Sequence, residues 1–124
     1  MKFSLPTPVF RFSAESPLPN IIIKREDLSL TGSHKFRYFQ KKLSELQKQG
    51  VSRVVLSTTG NAGITASYYS RELGMKVYSL MSDRGDMTKG AQIVHEGGLL
   101  IVTPRPVRFS KYLSKKYQIP LLRL

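Results

Sequence analysis

Hydrophobic residues follow two alternating patterns along this chain. Val54-Val55-Leu56, Val77-Tyr78-Ser79-Leu80-Met81 and Leu99-Leu100-Ile101-Val102 are short, almost continuous apolar runs, the pattern of strands buried on both faces of a parallel sheet. They predict strands over residues 53–57, 76–81 and 99–103, opening roughly 23 residues apart, a spacing that suits compact strand–helix units. Between them lie helical stretches over residues 62–73 and 87–96, closed by Gly74 and by Gly97-Gly98. Upstream, Phe36, Phe39, Leu43 and Leu46 recur at helical steps and predict one buried face of a helix over residues 35–49, with Lys41, Lys42, Glu45 and Lys48 toward solvent. Gly50 is placed to end that helix in a left-handed conformation. Ile21-Ile22-Ile23 reads as the core of a buried strand over residues 21–25, and the proline-bearing residues 1–20 as an extended arm. Pro106 suits the first turn of a last helix through Tyr117, and residues 119–124 read as a final strand. Strands alternating with amphipathic helices imply an α/β fold: an open, mostly parallel, three-layer sheet with helices on both faces and right-handed crossovers.

Composition narrows the class. A length of 124 residues with 40% hydrophobic content fits one folded domain and not a disordered chain. Cysteine is absent and the two histidines, His34 and His95, are far apart, so neither a disulfide framework nor a metal site is expected. No apolar run approaches transmembrane length and the first residues do not form a signal peptide; the expectation is a cytoplasmic protein with no membrane contact. Twenty basic against eight acidic residues give a net charge of +12, which suits nucleic acid, another anionic surface or an acidic partner. The densest basic patches are Lys41-Lys42 and residues 111–116, the latter interleaved with Phe109, Tyr112 and Tyr117. Lysine-rich helix faces are ordinarily just solvated, but this interleaving keeps nucleic-acid binding as an alternative.

Ligands of open parallel sheets bind where strands end and helices begin. Two such places carry chemistry. Ser57-Thr58-Thr59-Gly60-Asn61-Ala62-Gly63 offers hydroxyls, an amide side chain and close backbone approach at a helix N-terminus, a cradle for carboxylate or phosphate. The same residue types also serve as plain helix caps. Thr31-Gly32-Ser33-His34-Lys35 delivers a lysine to a helix start, where the dipole disfavours its charged form, and a neutral amine attacks carbonyls. Lysine beside such a cradle suggests a carbonyl cofactor held as a Schiff base with an amino-acid carboxylate in the cradle, or a lysine that binds phosphate without covalent chemistry. Phosphate-loop, dinucleotide and Gly-x-Ser-x-Gly motifs are absent from the sequence.

These segments resemble those of fold-type II pyridoxal-phosphate enzymes, the group of threonine synthase, serine/threonine dehydratase, cysteine synthase and the tryptophan synthase β chain. Lys24-Arg25-Glu26-Asp27 followed by Thr31-Gly32-Ser33-His34-Lys35 is similar to the group's Schiff-base segment. Ser57-Thr58-Thr59-Gly60-Asn61 is similar to its asparagine loop, Ser16-Pro17-Leu18 to its opening Thr-Pro-Leu, and Lys89-Gly90-Ala91-Gln92 through Gly97-Gly98 to its helix-then-glycine segment. The resemblance implies pyridoxal 5'-phosphate on Lys35, with Lys35 also the general base at the substrate α-carbon. It implies Asn61 on the cofactor's phenolic oxygen, and Ser57, Thr58, Thr59, Gly60 and Ala62 around the carboxylate of an amino-acid substrate. His34 is more like the tryptophan synthase β chain, whereas the asparagine loop is not, and Phe36 stands where an aspartate often follows the lysine. The group's later glycine-rich phosphate loop and its residue facing the pyridine nitrogen have no counterpart here. The resemblance thus implies an incomplete version of the fold. Residues 1–50 would form the arm, strand and lysine-bearing helix of a larger domain, 51–104 a smaller βα domain, and 105–124 a return helix and strand. The expected function is a truncated or split lyase or synthase working by β- or γ-elimination or replacement, completed by a complementary C-terminal chain or a homo-oligomer. The alternative is a catalytically inactive remnant whose basic surface binds anions or nucleic acid.

Overall fold

The computed structural model describes residues 6–18 and 20–123. In chain order the elements are β1 (Val9–Arg11), β2 (Ile22–Lys24), α1 (Lys35–Lys48), β3 (Arg53–Ser57), α2 (Asn61–Glu72), β4 (Lys76–Met81), α3 (Met87–His95), β5 (Leu99–Val102) and α4 (Pro106–Tyr117). β3, β4 and β5 form a parallel sheet in that order. The three apolar runs thus become the expected strands, and α4 begins with Pro106 in its first turn. Gly50, Gly74 and Gly97 follow α1, α2 and α3 with φ of 80, 67 and 92°, as helix-ending glycines do.

Alternation along the strands decides which helix covers which face. Val54 and Leu56 of β3 and Val77 of β4 pack with Phe36, Phe39, Leu43 and Leu46 of α1 and with Ala62, Ala66 and Tyr69 of α2. Val55 and Leu80 face the other way and meet Phe109 and Leu113 of α4, with Ile119 beneath them. The result is three layers with helices on both faces.

Two expectations fail. Ile22–Lys24 does form a strand, but it is not buried: Ile21, Ile22 and Ile23 are 41, 53 and 39% exposed. It pairs antiparallel with β1, in the stretch expected to be an extended arm, with Phe10 opposite Ile23. A β-branched apolar run encodes extended backbone; whether a layer covers it is not local information. The final strand shrinks to one parallel bridge between Val55 and Leu121. There the Val55 N–H donates to the Pro120 carbonyl (3.0 Å) and the Leu122 N–H to the Val55 carbonyl (2.9 Å). Pro120 has no N–H to extend the ladder. Ile119 and Leu122 are nonetheless buried, so this apolar tail finds cover within the chain. The expected strand's last residue, Leu124, and residues 1–5 and 19 of the arm lie outside the described residues.

Candidate active site

The lysine turn is built by short polar clamps. The Ser29 hydroxyl donates to the Ser33 carbonyl (2.9 Å) and accepts from the Ser33 N–H (3.0 Å), closing the loop across Thr31 and Gly32. Lys35 follows as the first residue of α1, half-buried, and its amine makes no hydrogen bond or ion pair among the described residues. The nearby carboxylates are taken by other cations. Glu26 accepts from Arg37 (2.8 and 3.2 Å) and from the Thr7 hydroxyl (2.7 Å), and Asp27 is held by Arg25 at 2.7 Å. Arg37 and the Thr7 hydroxyl hold the Glu26 carboxyl down to about 2. This network fastens the first turn of α1 to the chain ahead of β1 and leaves Lys35 unpaired.

The asparagine loop joins β3 to α2. Ser57 ends β3 half-buried, Thr59 and Asn61 are exposed, and Gly60 and Ala62 are buried. Thr58 plays an internal part: its hydroxyl oxygen accepts from the N–H groups of Gly60 (2.9 Å) and Gly63 (3.1 Å). The N–H groups of Thr59, Asn61 and Ala62 have no acceptor among the described residues, so three donors stand open at the positive end of α2. Gly60 has φ of 142°, and a Cβ there would meet the Lys89 side chain, whose Cβ and Cγ lie 2.8 and 3.0 Å from that point.

Topology puts the two segments together. α1 leads into the start of β3 through residues 49–52, so its own start, Lys35, lies at the end of the sheet where Ser57 finishes β3. The Thr65 hydroxyl donates to the Thr31 hydroxyl at 3.0 Å, tying the lysine turn to α2 one turn beyond Asn61. Phe39, one turn beyond Lys35, and Ser57 line one cavity of about 360 Å³.

The family model of the pyridoxal-phosphate dependent enzymes matches residues 2–117. The chain belongs to that family, whose cofactor is pyridoxal 5'-phosphate. Human serine dehydratase-like protein is 28% identical over 103 residues, which are 82% of this chain and 31% of that protein; the chain therefore spans about a third of that relative's length. An O-acetylserine dependent cystathionine beta-synthase from Helicobacter pylori superposes with a TM-score of 0.81 at 26% identity, over 93% of this chain and 42% of that one. Threonine deaminase isoform 2 from Solanum lycopersicum shares the fold with a TM-score of 0.83 at 19% identity, over 97% and 35% of the two chains.

The donor set fits such a cofactor. A lysine amine unpaired among the described residues suits its aldehyde, and the Ser33 hydroxyl, two residues before Lys35, is buried with no partner among them. Such an orphan calls for a polar guest. Sequence reasoning missed Ser33 as a polar orphan, the Thr31–Thr65 tether and the contact of Lys89 with Gly60. Only the chain order Thr-Gly-Ser-His-Lys hinted at the first.

Proposed function

We propose that this chain is the lysine-bearing part of a lyase or synthase that acts on an amino acid by β- or γ-elimination or replacement. The observation that supports it is the tether between the Lys35 turn and the helix of Asn61, with an unpaired amine on one side and open N–H donors on the other. Lys35 would hold the cofactor through its aldehyde carbon, and the Asn61 amide would meet the ring oxygen. When bound, the cofactor supplies an electron sink for the pair released at the substrate's α-carbon. The amine of Lys35 would take the α-proton as general base. The substrate carboxylate sits against the N–H groups of Thr59, Asn61 and Ala62, with the Ser57 and Thr59 hydroxyls beside them. Thr58 shapes this cradle, its oxygen engaged with Gly60 and Gly63 and its own proton free to donate. The chain spans 31% of its human relative's length, and in this reading a complementary chain or a second copy of this one faces the cofactor phosphate.

An absorbance titration with pyridoxal 5'-phosphate tests the reading. Wild-type protein should develop the long-wavelength band of lysine-bound cofactor, Lys35→Ala should not, and Asn61→Ala should need several-fold more cofactor. A band of equal strength in Lys35→Ala overturns the assignment.

A further inference from the structure

Residues 97–124 carry Arg105, Arg108, Lys111, Lys115, Lys116 and Arg123 and not one acidic residue. Most of this charge is displayed on α4, on the face away from its core contacts. Ser110 is buried on that helix and Leu113 and Phe109 pack against the sheet. Arg105, Arg108, Tyr112 and Lys116, at steps of three, four and four, form an exposed stripe along it.

Aromatic planes are interleaved with these cations. Phe109 and Tyr112 lie nearly parallel, 13° apart with centroids at 5.8 Å. The Lys116 ammonium stands 5.5 Å from the Tyr112 ring and 5.4 Å from that of Tyr117, both half exposed. Beside the start of the stripe opens a cavity of about 370 Å³ lined by Thr103, Pro104, Arg105, Arg108, Phe109 and Tyr112. That volume lies within the range of small-molecule sites, and its walls pair two guanidinium groups with two flat rings.

We propose that α4 binds single-stranded nucleic acid, with one base entering the cavity against Tyr112 and the backbone following the cations. From Arg105 to Lys116 the helix rises about 16 Å, which spans about four or five phosphates at the ~3.4 Å spacing of a stacked strand. A base stacking on Tyr112 displaces Lys116 from the ring. The exchange is favourable because a solvent-exposed cation–π contact is weaker than base stacking, and the released ammonium moves onto a phosphate. Duplex DNA presents no free base face, so the aromatic half of the site selects the single strand. Val107, Ser110 and Lys111 of α4 line the cavity of Phe39 and Ser57, whereas Arg105, Arg108, Tyr112 and Lys116 do not, and the proposal does not depend on the function proposed above.

Fluorescence anisotropy with a labelled eight-nucleotide oligothymidylate and its matched duplex, across a potassium chloride series, tests it on the whole chain. The single strand should bind more tightly than the duplex, with a log–log salt slope of about −3 for four phosphates neutralised. Tyr112→Leu should weaken single-strand binding roughly tenfold, and Arg105→Gln with Arg108→Gln should flatten the slope by about 1.4. Lys41→Gln with Lys42→Gln, on α1, should change little. Circular dichroism confirms that each variant is folded; should Tyr112→Leu not fold, Lys116→Gln, which alters only an exposed side chain, must weaken binding in its place. Absence of binding, equal affinity for strand and duplex with folded Tyr112→Leu unaffected, or tighter binding to anionic phospholipid vesicles overturns the proposal.

Discussion

Gly60 is the most sensitive point of the candidate site, and the cost of changing it follows from two separate terms. Its φ of 142° lies where L-residues are strained, which costs about 1–3 kcal/mol for Gly60→Ala. The new Cβ would also press on Lys89, whose own Cβ lies 2.8 Å from the position it takes. The end of a lysine swings aside easily, but a Cβ moves only with its backbone, here that of α3. Overpacking of this kind adds about 1–3 kcal/mol. The sum, about 2–6 kcal/mol, is a large part of the roughly 5–15 kcal/mol that holds a single domain together. With a urea slope of about 1.5 kcal/mol/M, the unfolding midpoint read by circular dichroism should fall by about 1 M or more. Lys89→Ala on the Gly60→Ala background removes the Cγ and Cδ contacts and leaves the strained φ, so it should restore about 1 kcal/mol of the packing term and no more. A Gly60→Ala midpoint within about 0.3 M of wild type, about 0.5 kcal/mol and so below even the smallest value of either term, would show that neither the loop conformation nor the Lys89 contact is as described.

Thr31→Val and Thr65→Val should couple by about 0.5–1.5 kcal/mol in a double-mutant cycle of urea midpoints, because each removes the same hydrogen bond; additive effects would mean that the tether contributes nothing. Glu26 has its pKa lowered from 4.5 to about 2 when folded, so its ion pairs stabilise the protein fully above about pH 4.5 and are lost as the pH falls toward about 2. Glu26→Gln should therefore flatten stability against pH across that window and leave little change in slope at neutral pH, as read from urea midpoints at each pH. The Tyr69 hydroxyl is buried without a partner among the described residues, and burial pushes its pKa up. Tyr69→Phe should hold stability constant or raise it by up to ~1 kcal/mol; a clear loss in thermal melting would reveal a hydrogen bond to that hydroxyl.

What could be read from the sequence was what local periodicity encodes. The spacing of Phe36, Phe39, Leu43 and Leu46 marks one helix face whatever packs on it, and the apolar runs at Val54, Val77 and Leu99 mark strands covered on two sides. Lys35 and Asn61 were singled out on residue type and chain order alone, and their roles are part of the proposal. Coverage and contact across the chain were not legible. Ile22 has the composition of a core strand yet pairs only with the short β1 ribbon, and Leu121 meets β3 through one bridge because Pro120 cannot donate. Thr58 was expected among the residues around a substrate carboxylate; its oxygen accepts from Gly60 and Gly63, a role that needs the folded loop to be visible. Lys89 and Gly60 are 29 positions apart, and no pattern in either segment announces that one covers the other.

The central claim is that Lys35, and not the other lysines of this strongly basic chain, carries the cofactor. Borohydride reduction after addition of stoichiometric pyridoxal 5'-phosphate, followed by peptide mass mapping, tests it most directly. The phosphopyridoxyl label should concentrate on the peptide containing Lys35 and be lost in Lys35→Ala. Label spread evenly over Lys41, Lys42, Lys111 and Lys116, or unchanged in total when Lys35 is replaced, would contradict it.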